Sequence, residues 1–357
     1  MGEKIGNEMF WSEHWCIDEE NNAWVLSSQF NTLCRVNMND NVVKYIGRLP
    51  LSFTGERQFS YSICIGNKVY FLPDQSSQVD IYHKDNGEFS IIDLSGLNIK
   101  GRLRCTDARL IDDKLWIYSS GCGLFICIDL EKEEVEKSCT VGNEMILWDY
   151  EIVWIDKNAY VTTRDASMIY KFDTETQEIN SYDYRQVNDK FRTIQICGNS
   201  LYVSGESGNL YCIDKENMKC CECINVQANI LGAYPYLYSC YLNGKIWLIP
   251  YESNKLISVD VGSKKIECVK DFSEKREHEE ACYGVNYIRD GRFIGISKFY
   301  NDGLILEIDT EKQVIQNRRY IFNSEEICRM MREINSFSNA FYRENRFYGI
   351  GNFLKTI

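Results

Sequence analysis

One short pattern recurs along the whole chain: a turn residue, a run of apolar and aromatic residues, then a small or turn residue. It reads NAWVLS at 22–27, KVYFLP at 68–73, KLWIYS at 114–119 and NAYVTT at 158–163. It continues as SLYVSG at 200–205, KIWLIP at 245–250, RFIGIS at 292–297 and RFYGIG at 346–351. The third residues of these motifs lie 46, 46, 44, 42, 45, 47 and 54 positions apart. A second column keeps step with the first. It is an apolar strand ending in Asp: FICID at 125–129, IYKFD at 169–173, LYCID at 210–214, LISVD at 256–260 and ILEID at 305–309. Asn37 and His83 hold the Asp position in the first two units. An Asp there starts a tight turn by accepting a hydrogen bond from the backbone two residues on.

Short strands separated by turn signals every ~8–12 residues describe an all-β chain. A four-stranded unit repeated at this period is one blade of a β-propeller. Seven units are complete, and 336–357 supplies two or three strands of an eighth. Eight blades is the expected count and seven the alternative. The chain reads as a single domain, 1–357, in which 1–12 closes the ring against 336–357 and removes two exposed sheet edges. The segment 324–333 (SEEICRMMRE), inside the longest interval, reads as a short capped helix.

The blade strand 210–215 (LYCIDK) resembles those of the bacterial β-propeller repeat superfamily, both kelch-like and quinoprotein-like. The resemblance covers about 13–322 and implies the fold only. The WD40 Gly-His and Trp-Asp pairs, the kelch double glycine, the quinoprotein docking tryptophan and the sialidase Asp-box are all missing from the sequence. No family's function carries over.

Charge and composition narrow the function classes. Forty Lys and Arg against 52 Asp and Glu leave a net charge of −12, which argues against nucleic acid and anionic membrane surfaces. No apolar run approaches ~18 residues, so no membrane-spanning helix is expected. The first residues lack an apolar signal region, which points to a cytoplasmic setting. Most of the sixteen cysteines, in a long chain without such a signal, read as free thiols filling small apolar positions.

The chemistry-bearing motifs are weak. His14, His83 and His278 are isolated, and His278 sits in a charged run that reads as a solvated loop. Cys220, Cys221 and Cys223 contain a single CxxC spacing, whereas a structural zinc site needs a second pair. An alternating outer strand would put Cys221 and Cys223 on one face. No phosphate-binding glycine loop precedes a helix. No metal and no cofactor are expected.

The innermost strands remain, because they surround the channel of any propeller. Counting back eleven and nine residues from each anchor gives pairs expected on one strand face. They are Glu13/Trp15, Phe59/Tyr61, Cys105/Asp107, Asp149/Glu151, Phe191/Thr193, Tyr236/Tyr238, Tyr283/Val285 and Phe337/Asn339. Arg57, Arg104, Trp148 and Arg192 stand at or near the starts of these strands. Aromatic surface with a few polar groups suits a concave ligand site. The funnel candidates are therefore Trp15, Arg57, Tyr61, Arg104, Asp107, Trp148, Asp149, Glu151, Arg192, Tyr236, Tyr238 and Tyr283. The expected function is a non-enzymatic scaffold that binds a protein segment or a small polar ligand, such as a sugar, at this funnel. The alternative is a carbohydrate-active enzyme, of glycosidase or lyase type, using the channel carboxylates.

Overall fold

The computed structural model describes residues 15–26, 31–50, 58–99, 101–141, 151–163, 166–226, 232, 235–253, 255–271, 283–289, 292–297, 304–309, 314–319 and 321–337. Seven antiparallel sheets, each a meander of four strands consecutive in sequence, follow one another along the chain. They are the blades, numbered 1 to 7 in chain order. Their first strands are Trp15–Ile17, Phe59–Ile65, Cys105–Ile111, Ile152–Ile155, Phe191–Cys197, Tyr236–Leu242 and Tyr283–Arg289. These first strands neighbour one another from blade 1 to blade 3 and from blade 4 to blade 7, blades 3 and 4 share an apolar wedge, and the first strand of blade 7 lies directly beside that of blade 1. The protein is an all-β propeller. Of the two blade counts the repeats allow, seven fits this neighbour relation. Residues 1–12 and 338–357, the proposed ring closure and most of the eighth unit, lie outside the described residues.

The two sequence columns have separate structural jobs. The aromatic column fills the space between blades. Trp24 packs between blades 1 and 2, Tyr70 between 2 and 3, Trp116 between 3 and 4, Tyr160 between 4 and 5, and Tyr202 between 5 and 6. Between blades 3 and 4, Phe125 and Phe172 stack with ring centroids 4.0 Å apart. The core is thus a set of wedges between blades, not one central mass. The Asp column builds turns. Asp173 Oδ1 accepts from the amides of Glu175 at 2.8 Å and Thr176 at 3.0 Å, and Asp214 Oδ1 does the same for Glu216 and Asn217. These donors hold the Asp173 carboxyl below its ordinary pKa. Four residues after six of the column positions the backbone enters the left-handed region: Asn41, Gly87, Glu133, Gln177, Met218 and Lys264.

Outer strands are half solvated, as the alternating exposure of Glu134–Thr140 shows. The outer edge of blade 1 is covered. Ile321–Phe322 pairs parallel with its last strand, Val42–Arg48. A helix, α1 (Ser324–Phe337), then packs on that strand, four residues longer than the sequence pattern suggests. Its cap is Asn323, whose Oδ1 accepts from the Glu326 amide at 2.8 Å. Glu326 Oε2 accepts from the Tyr45 amide at 2.8 Å, and Arg329 lies over the Tyr45 ring. The segment after blade 7 therefore protects an edge that would otherwise invite pairing with another chain. No helix among the described residues is long and apolar enough to cross a membrane.

Candidate functional site

The start of the inner strands carries a recurrent β-bulge. In blade 2, Phe59 pairs with Pro73 and Tyr61 with Leu72, so Ser60 is the extra residue. Blade 3 pairs Cys105 with Ser119 and Asp107 with Tyr118. Blade 6 pairs Tyr236 with Pro250 and Tyr238 with Ile249. Paired residues share a face, and consecutive partners lie on opposite faces. The two positions expected on one face are therefore split between two. Phe59, Cys105, Phe191 and Tyr236 turn back into the wedge shared with the preceding blade. Tyr61 instead packs at the wedge shared with blade 3.

This sorting decides which candidates meet. Tyr61 of blade 2 hydrogen-bonds Asp107 of blade 3, and both keep partial exposure. Asp107 also accepts from the Ala108 amide at 2.7 Å. Burial pushes its carboxyl up to about 6, against lowering by Tyr61, by the Ala108 amide, by the Arg109 charge and by the Trp154 indole of blade 4. Burial and the adjacent Asp107 together drive the Tyr61 phenol well above its ordinary value.

Glu151, just before the inner strand of blade 4, reaches across two further blades. Its Oε2 accepts from the Ile194 amide and the Ser239 hydroxyl, both at 2.8 Å. Its Oε1 accepts from the Ser239 amide at 3.1 Å and Gln195 Nε2 at 3.3 Å. Gln195 in turn donates to the Ser239 carbonyl at 3.0 Å. Four donors favour the carboxylate, but none is a cation. Loss of water outweighs them and pushes the carboxyl up to about 8. Ser239, Gln195 and the Ile194 amide were not sequence candidates. They stand one or two positions past the counted column, on the far side of the bulge.

Several candidates occupy other roles. Tyr236 is 0% exposed inside the wedge between blades 5 and 6, so it offers no surface to a ligand. Arg192 is 1% exposed, and its guanidinium pairs with Glu206 at 3.2 Å instead of sitting at an open rim. Trp15 is buried on the inner strand of blade 1, and its indole N–H has no acceptor among the described residues. Tyr238 and Arg104 are half-buried. Arg57, Trp148 and Asp149 lie outside the described residues, as does the side chain of Tyr283, whose backbone is in the inner strand of blade 7. In the outer strand of blade 5, a bulge places Cys220 opposite Ile213 and Cys223 opposite Tyr211. Cys220 and Cys223, not Cys221 and Cys223, therefore share a face. No group of three or more His, Cys, Asp or Glu among the described residues could hold a metal ion.

A third raised carboxyl lies away from the centre. Asp80, in the third strand of blade 2, is 0% exposed and accepts from Gln78 Nε2 at 2.5 Å. Burial pushes it up to about 7. Asp107, Asp80 and Glu151 thus keep protons that the unfolded chain releases near pH 4. The folded state binds more protons between pH 4 and 8, so these groups lower stability as pH rises through that window. Asp80→Asn removes one of them. The variant's gain in stability over the native chain is expected to be larger at pH 8.5 than at pH 5.5, by about 2 kcal/mol. Guanidinium unfolding at the two pH values measures it, and an equal gain at both would contradict the assignment.

No family model matches the chain, and no curated protein sequence matches it. Solved structures do. A streptogramin B lyase aligns with a TM-score of 0.61 at 12% identity, over 80% of this chain and 90% of that one. BamB from Moraxella catarrhalis aligns with a TM-score of 0.54 at 12% identity, over 82% and 81%. YCF48 bound to D1 peptide aligns with a TM-score of 0.63 at 11% identity, over 84% and 91%. At such identities the likeness is one of fold.

Proposed function

We propose that the protein is a non-enzymatic recognition scaffold that binds a protein segment or a small polar ligand where the inner strands begin. One observation carries this reading. Side chains of separate blades meet along the inner strands, Tyr61 with Asp107 and Glu151 with Gln195 and Ser239, and the acids are already engaged by the chain's own groups. Glu151 is occupied by four donors and ties blades together, which suits a wall better than a general base. The half-buried Tyr61 and Tyr238 support a ligand with an apolar body and polar atoms. YCF48, a protein of similar fold, holds a peptide. The charge of −12 favours neutral or basic partners over nucleic acid.

A second reading is favoured by one feature, the Tyr61–Asp107 pair. A carboxyl raised to about 6 beside a phenol could move a proton in a carbohydrate-active enzyme of lyase type. One experiment addresses both. A peptide library and a glycan panel are screened against the purified protein, and the strongest hit is titrated against Tyr238→Ala and Asp107→Asn. Binding is expected to weaken at least tenfold in Tyr238→Ala, with the hit recovered chemically unchanged. Unchanged affinity in both variants would overturn the funnel. Cleavage of the hit by the native chain but not by Asp107→Asn would favour the enzyme.

A further inference from the structure

Cys16 lies in the inner strand of blade 1 and Cys64 near the end of the inner strand of blade 2. Their Sγ atoms are 2.9 Å apart across the wedge between the two blades, closer than ordinary non-bonded contact. Both are thiols in the structure. Cys16 is buried and Cys64 keeps partial exposure, so a small oxidant has one sulfur to reach first. We propose that Cys16 and Cys64 form a redox latch, a dithiol that a peroxide converts to a disulfide locking blade 1 to blade 2. The Cys64 thiolate attacks one peroxide oxygen and becomes a sulfenic acid, releasing hydroxide. The Cys16 sulfur then attacks the Cys64 sulfur, the S–S bond forms and the sulfenic oxygen leaves as water. In sum, two thiols and one peroxide give one disulfide and two waters.

The surroundings set the character of the latch. The hydrogen bond that the Cys64 thiol shares with Cys16, burial and Asp18 hold the thiol well above its ordinary value, against the Lys84 charge, which favours the thiolate. Lys84 is itself drawn to Asp18 at 3.6 Å. Oxidation is therefore slow compared with that of an activated thiol. The product is a stabilising cross-link more than a fast sensor. The two residues are 48 positions apart, so the bond closes a long loop. It would also fasten blade 1, the blade that receives the segment following blade 7, to its other neighbour.

The test treats the full chain with hydrogen peroxide, blocks remaining thiols, digests with trypsin without reduction and maps cross-links by mass spectrometry. A peptide pair joined through Cys16 and Cys64 is expected, with fragmentation separating Cys16 from Cys34. The melting temperature should rise by ~5 °C on oxidation, fall back on reduction and stay level in Cys64→Ser. Mapping the native chain needs no variant, so the proposal remains testable if Cys64→Ser fails to fold. Recovery of Cys16 and Cys64 as unlinked residues, under conditions that oxidise the exposed Cys221, Cys223 and Cys268, would overturn it. So would a cross-link that leaves melting unchanged.

Discussion

Replacing Glu151 with alanine is expected to destabilise the protein by about 4 kcal/mol at pH 6. The side chain joins three blades. Without it the Ile194 and Ser239 amides lose their acceptor in a place with little water. Each such orphaned group costs roughly 1–3 kcal/mol, and the shared Gln195 and Ser239 side chains lose their anchor as well. Whole-domain stability is only about 5–15 kcal/mol, so the loss is a large share. The effect should shrink toward pH 9. The native carboxyl is raised to about 8, so its ionisation increasingly burdens the native fold over that range. Denaturant unfolding at pH 6 and pH 9 measures both statements. A loss below about 1 kcal/mol at pH 6 would mean that Glu151 does not hold the inner strands together.

Tyr236→Ala is expected to cost about 3–5 kcal/mol, the range for emptying a large aromatic site in a packed core. The ring is 0% exposed and touches the wedge built from residues such as Leu210, Ile246 and Leu248. Tyr236→Phe keeps the ring and should stay within about 1 kcal/mol of the native chain. Reading the same residue as an exposed ligand contact leads to the opposite result, lost binding with an unchanged melting temperature. Thermal melts of the two variants separate these outcomes. An alanine variant that melts within a degree or two of the native chain would show that the ring is not a packing residue.

These two residues also show what the sequence can and cannot reveal. The anchor and Asp columns were legible because each performs the same job in several blades. Trp24, Tyr70, Trp116, Tyr160 and Tyr202 all fill wedges, and Asp129, Asp173, Asp214 and Asp260 all accept from turn amides. Such repetition survives in the spacing. The site was only partly legible. Tyr61, Asp107 and Glu151 stand at counted positions and prove to make contacts between blades. Their partners were missed, because a two-residue alternation cannot register an inserted residue. The bulges at Ser60, Thr106 and Leu237 reverse the faces on either side. The outer strands have the same irregularity, as between Cys212 and Ile213 and between Leu256 and Ile257. No residue type marks these positions. They follow from the bend that each strand needs near the centre of the ring. The Cys16–Cys64 contact was hidden for a different reason. It depends on which blades are neighbours and not on the content of either strand.

The inner strands hold carboxyls of separate blades, Asp107 and Glu151, in poorly hydrated surroundings. Carbon-13 NMR titration of the side-chain carboxyls, assigned with Asp107→Asn and Glu151→Gln, tests this claim most directly. The Asp107 resonance is expected to titrate near pH 6 and the Glu151 resonance near pH 8, both far above the bulk of the acids. Titration of both with the surface carboxyls near pH 4 would place them in open water and contradict the claim.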